Sequence, residues 1–132
     1  MERSVIDRAL LSLLLAYCAT SLLHFSHNAE YLADYPNLPA WLSRSDVYLT
    51  WVAIFAIGVL GYVLYRRAHR RIGLAVLAIY AGLGFDGLLH YTRAPFAAHT
   101  AAMNLTIWSE VIAAAVLLIT IVVAAAASHE KR

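Results

Sequence analysis

The sequence is short of most of what a water-soluble domain uses. Only 14% of its 132 residues are charged, and it contains three prolines and a single cysteine, Cys18. Soluble domains carry about 25% charged residues, so this chain has too few to cover a water-facing surface. One cysteine excludes a disulfide scaffold. No phosphate-binding glycine loop, nucleophile elbow or Cys-x-x-Cys pair occurs, so the usual signatures of nucleotide, acyl-transfer and dithiol chemistry are missing. The net charge of +2 does not mark a nucleic-acid partner, because the basic residues sit at the ends of apolar runs.

What is abundant is apolar surface: 62% of the residues are hydrophobic and the mean hydropathy is +0.68. A helix needs about 20 mostly apolar residues to cross about 30 Å of hydrocarbon. Four stretches qualify, at about residues 9–27, 47–65, 72–91 and 101–127. The expectation is an all-α integral membrane protein, a four-transmembrane-helix bundle forming a single domain over residues 1–132. No internal repeat is visible, and the longest connection is Tyr31 to Asp46. A cleaved leader is the weaker reading of the first stretch. Glu2 and Asp7 dilute its positive start, and the bulky Tyr17 occupies a position that wants a small residue.

Orientation follows from Lys and Arg near the span ends. Arg3, Arg8, Arg66, Arg67, Arg70, Arg71, Lys131 and Arg132 share one side of a four-span protein, whereas only Arg44 and Arg93 lie on the other. Both termini are therefore expected in the cytoplasm, with the lipid bilayer as the main partner and the bacterial inner (plasma) membrane as the location. Tyr31, Tyr35, Trp41, Tyr48, Trp51 and Tyr91 read as an outer aromatic belt. Pro36 and Pro39 stiffen the outer loop, which is expected to fold down as a cap. Asp46, preceded by Ser45, reads as the N-cap of the second span.

Ionisable groups within the spans cost roughly 2.5–3.5 kcal/mol each at the helix centre, so each needs a reason. Asp86 lies about 21 Å along the third span, Glu110 about 13 Å into the fourth, and His24 at a level similar to Asp86. His27, His90 and His99 sit nearer the outer surface. At about 100° per residue, Tyr17, Thr20, Ser21, His24, His27, Asn28 and Tyr31 share one face of the first span. His99, Met103, Thr106 and Glu110 share one face of the fourth, and Asp86 and His90 stack one turn apart on the third with Gly82 below. The second span supplies a wall, its Gly58 and Gly61 reading as close-packing positions. Inward-facing His and carboxylate groups from different helices are one way to build a metal site. The expected metal ligands are His24, His27, Asp86, His90 and His99, and the expected catalytic carboxylates Asp86 and Glu110.

Nitrogen and oxygen donors of this kind suit Zn or Fe, and the single thioether within reach, Met103, disfavours Cu(I). His24 and His27 are three residues apart with no intervening Glu, so they do not form a His-Glu-x-x-His protease helix. Two buried acids cost about 5–7 kcal/mol, whereas an interhelical hydrogen bond returns about 0.6–2 kcal/mol. A cation, a ligand or a wet pocket is needed to close that gap. The leading expectation is a metal site in the outer half of the bundle, serving an enzyme that acts on a lipid or other apolar small molecule. Three alternatives stay open: a haem- or quinone-binding redox subunit, a proton-coupled carrier module, and a non-catalytic accessory subunit completed by a homo-oligomer or larger membrane complex.

Overall fold

The computed structural model describes residues 2–129. Its α-helices are α1 (Glu2–Glu30), α2 (Arg44–Arg66), α3 (Arg70–Leu83), α4 (His90–Arg93) and α5 (Ala101–His129). Short 3-10 turns lie at Leu32–Asp34, Asp86–Leu89 and Phe96–Ala98, and no strand occurs among the described residues. Four segments are long and apolar enough to cross a membrane: Ser4–Glu30, Arg44–Arg66, Arg70–Arg93 and Ala101–Ser128. The bundle expected from hydropathy is present, with the first helix longer at both ends than its apolar run.

The helices pair as α2 on α3 and α1 on α5, and contacts of α1 with α2 and of α3 with α5 complete the bundle. Glycine sets the closest approach. A Cβ on Gly58 would lie 2.8 Å from the Tyr80 ring, and one on Gly61 would lie 2.9 Å from the Leu77 side chain. The packing role read for these two glycines is what the structure contains. Leu10, Leu14, Tyr17, Leu77, Leu117 and Ile121 fill the centre. The outer faces are apolar too: Leu15, Leu60, Ile79, Leu105 and Ile119 are each more than half exposed. Apolar surface in contact with the surroundings, and polar groups turned inward, is the distribution a lipid solvent favours.

Polar clasps tie the two ends. Near the basic turn, Asp7 of α1 accepts a hydrogen bond from the Tyr65 hydroxyl of α2 and another from Arg70 Nη1 of α3, the latter at 3.3 Å. The Arg70 guanidinium also lies 4.5 Å from the Tyr65 ring centre. At the opposite end, Glu30 accepts from Arg44 and from the Tyr48 hydroxyl at 2.7 Å, joining α1 to α2. The N-cap of α2 is Ser43 rather than Asp46. Asp46 is the third residue of the helix and returns a bond from Ser43 N at 2.9 Å, which completes a capping box. The assignment of Asp46 to structure stands, but its position in the motif shifts.

The third span departs most from expectation, because it is not one regular helix. It ends at Leu83, passes through a 3-10 turn over Asp86–Leu89, and resumes for one turn at His90. Bonds spaced three residues apart, from Phe85 N to Gly82 O and from Leu88 N to Phe85 O, mark the break. Gly82, Gly84 and Gly87 weaken helical continuity here. Packing explains why Gly84 stays bare: a Cβ there would lie 2.5 Å from that of Ala114 and 2.7 Å from the Tyr17 ring. The regular stacking of Asp86 under His90 does not survive this rewinding.

Candidate functional site

Two helical faces build the site from opposite sides. Along α1, Tyr17, Ser21 and His24 recur at helical spacing and are almost fully buried. Thr20 instead returns its hydroxyl to its own helix, and Tyr31 is exposed. Along α5, Met103, Thr106 and Glu110 are buried, and so is His99, which the structure places in the turn just before that helix rather than on its face. Glu110 is almost completely buried. Its Oε2 lies 3.8 Å from His24 Nε2, beyond a hydrogen bond, and neither carboxylate oxygen has a hydrogen-bond partner.

The broken third span places its groups against this pair. Gly87 faces it directly: a Cβ on that residue would lie 3.7 Å from both Glu110 Oε2 and His24 Nε2. Asp86, its neighbour, is partly buried and has one unpaired oxygen, Oδ1. The His90 ring sits edge-on to His24 with centroids 5.5 Å apart, and His99 lies 6.1 Å beyond His90. The Asn28 amide lies 3.2 Å from His90 Nε2 and leaves the other ring nitrogen, Nδ1, without a partner. His99 Nδ1 donates to the Pro95 carbonyl at 3.0 Å, so its buried Nε2 keeps a free lone pair.

A buried polar atom without a partner costs about 1–3 kcal/mol. Here such atoms gather on Ser21, His24, Asn28, Asp86, His90, His99 and Glu110, all at one end of the bundle. Arg70 Nε, at the other end, is the exception. As placed, however, no three His, Cys, Asp or Glu side chains among the described residues form a group that could hold a metal ion. The close unit is the His24–Glu110 pair. The chain matches no known protein family, no curated protein and no solved structure.

The sequence-expected residues separate into two groups. His24, Asp86, His90, His99 and Glu110 are brought to one end of the interior. His27 turns away: its Nδ1 bonds the Tyr35 hydroxyl at 2.9 Å and its ring stacks on Tyr31. Asn104 is satisfied by the Tyr91 hydroxyl and by the carbonyls of Phe96 and His99, a structural role.

Tyr35 was read as part of the aromatic belt, but it points inward and is only 3% exposed. It closes the site from above, with its ring 4.8 Å from that of His90. The rigid cap expected of the loop is present, since Asn37, at φ 59°, donates to the Arg93 carbonyl at 2.9 Å. No periodic pattern could have flagged Tyr35, because loop residues have no helical face. Gly87 was equally invisible, since its part depends on a side chain it lacks.

Burial pushes the Tyr35 phenol up to about 12 from its ordinary 10.0. Above pH 10 the unfolded chain releases this proton while the folded one keeps it, so Tyr35 takes stability away as pH rises toward 12. The expected result is a steeper loss of thermal midpoint between pH 10 and 12 in wild type than in Tyr35→Phe, followed by circular dichroism in detergent. Equal slopes would mean that the phenol is free to ionise in the folded state.

Proposed function

We propose that this is an integral membrane metalloprotein of the plasma (inner) membrane, with both termini cytoplasmic and its site in the outer half of the bundle. In this reading His24 and Glu110 are the primary ligands of a divalent transition metal, Zn or Fe, and His90 and His99 close on it. The observation that carries the reading is Glu110: a fully buried carboxylate, unpaired at both oxygens, whose only ion-pair neighbour among the described residues is an imidazole. Metal–ligand bonds run roughly 2.0–2.2 Å, so atoms 3.8 Å apart lie within reach of a common ion. The lone pair left on His99 Nε2 by the Pro95 carbonyl is how ligating histidines are usually prepared.

A bound ion would supply Lewis acidity toward water or a substrate oxygen. Asp86, adjacent to Gly87 and with one free oxygen, would accept the proton that such chemistry releases. The substrate class is a lipid or other membrane-dissolved molecule, because the site lies at membrane depth. A second reading draws on the absence, among the described residues, of a third group placed to share a metal: a metal-free His24–Glu110 pair that passes a proton to a bound ligand.

Elemental analysis of untagged protein, purified in mild detergent without chelator, separates the two. The expected result is near-stoichiometric Zn or Fe in wild type and less than about one-tenth of that in His24→Ala, the scale on which loss of metal-site partners acts. Gly87→Ala keeps every donor but fills the gap with a methyl group, and should also lose metal. Wild type without metal would sink the metal reading and leave the proton-transfer pair.

A further inference from the structure

Away from the polar cluster, a groove runs between α1 and α2 in the half of the bundle nearer the basic turn. Leu11, Leu15 and Cys18 form one wall, and Phe55, Val59 and Tyr62 the other. Its floor is Gly58 with the Tyr80 ring packed on it. The two helices are tied on either side of this stretch, by Asp7 with Tyr65 and by Glu30 with Arg44 and Tyr48. Between those ties Leu11, Leu15, Phe55 and Val59 stay exposed, so the groove opens sideways. Its volume is about 220 Å³.

Two charges at its basic end follow the same helical phase. On α1 the wall residues run back in steps of three and four, from Cys18 through Leu15 and Leu11 to Arg8. On α2 they run forward in the same steps, from Phe55 through Val59 and Tyr62 to Arg66. Both arginines are exposed. The Cα–Cβ bonds of a helix tilt toward its N-terminus, which for Arg66 is toward the groove and for Arg8 away from it. Arg8 Nε accordingly donates to the Ser4 carbonyl at 3.3 Å. Asp7, beside Arg8, is engaged by Tyr65 and Arg70, so the mouth keeps its positive character.

We propose that this groove holds one acyl chain of an anionic phospholipid, with the lipid phosphate at Arg8 and Arg66. The proposal does not depend on the His24–Glu110 cluster. Size decides for a chain over a second helix. An apolar cavity of about 150 Å³ takes benzene, so the groove takes a chain segment of roughly nine carbons by the same ratio. From Leu11 to Cys18 the wall is about 10 Å long, a length such a segment covers when extended. A helix from another copy, about 10–12 Å across with its side chains, is too broad to enter. Charge decides the head. Arginine meets phosphate through paired N–H···O bonds, and each basic residue near a membrane surface favours an anionic head about fivefold.

Native mass spectrometry of the full chain in detergent tests this with two added lipids, dioleoyl phosphatidylglycerol and dioleoyl phosphatidylcholine. Wild type is expected to retain the anionic lipid about twenty-fivefold better, the product of two arginines. Arg66→Gln should cut that preference about fivefold and leave phosphatidylcholine unchanged. Leu15→Trp, a change at an exposed position, should reduce retention of both lipids by filling the groove. Cys18, the single cysteine, supplies a second readout from the groove wall. Phosphatidylglycerol should slow its alkylation by N-ethylmaleimide, and Arg66→Gln should need about fivefold more lipid for the same protection. Equal retention of the two lipids would overturn the proposal. So would phosphatidylglycerol binding that Leu15→Trp leaves intact and that does not protect Cys18, since the lipid would then sit on the basic turn alone. Dimers that protect Cys18 without lipid would give the groove to a second copy and overturn it as well.

Discussion

In chelator-treated protein, Glu110→Leu is expected to unfold at a higher temperature than wild type while losing all capacity to rebind metal. The usual outcome of altering a fully buried residue is destabilisation, so the sign is diagnostic. Glu110 is almost completely enclosed, neither oxygen is hydrogen-bonded, and His24 Nε2 stays 3.8 Å away. Leucine removes a desolvation cost of about 1–3 kcal/mol, at the expense only of the approach of the Ser21 hydroxyl to the carboxylate. Replacing a buried polar constellation by apolar side chains is often neutral or stabilising. Under the proposed reading, a group that costs stability without metal is retained for the metal it binds. Thermal scans followed by circular dichroism, with and without added Zn, measure both halves. Zn should raise the wild-type midpoint and leave the variant unchanged. If Glu110→Leu is less stable than wild type without metal, the carboxyl is structural and the site reading loses its main support.

Gly73→Ala carries the largest expected structural penalty. A Cβ at this position would lie 2.3 Å from Tyr65 N, 2.5 Å from Tyr65 Cα and 2.8 Å from Gly61 O. These are backbone atoms, which cannot rotate aside as a side chain can. α2 and α3 would have to separate, weakening the contacts of Gly61 with Leu77 and of Gly58 with Tyr80 as well. The expected cost is at or above the upper end of the ~1–3 kcal/mol typical of overpacking. Gly82 lies on the same helix but would meet nothing within 4 Å. Gly82→Ala should therefore gain about 0.5–1 kcal/mol from helix propensity alone. Unfolding of both variants in detergent compares them directly, and similar midpoints would show that α2 and α3 do not depend on close approach at Gly73.

Much of the architecture was legible because the physics behind it is periodic or cumulative. A bilayer-length apolar run needs no tertiary information, and four of them appear as four apolar helices. The buried faces of α1 and α5 were equally visible, since 3.6 residues per turn brings Ser21 to His24 and Met103 to Glu110 whatever lies opposite. The third span was not legible in the same way. It read as one regular helix, and nothing local placed a break at Gly84, where Ala114 and Tyr17 occupy the space a Cβ would need.

The sequence by itself determined the apolar character of this protein, the number of its long apolar helices, and the inward turn of Tyr17, Ser21 and His24 on the first and of Met103, Thr106 and Glu110 on the last. Each follows from transfer energy and helical phase, which act along the chain. Tertiary structure alone decided that His27 leaves the cluster for Tyr35, that Tyr35 closes it, and that His24 and Glu110 form its close pair. It also decided that a bare Gly87 faces the gap between them. These depend on distances between segments far apart in sequence, set by how closely the helices pack and where one of them breaks.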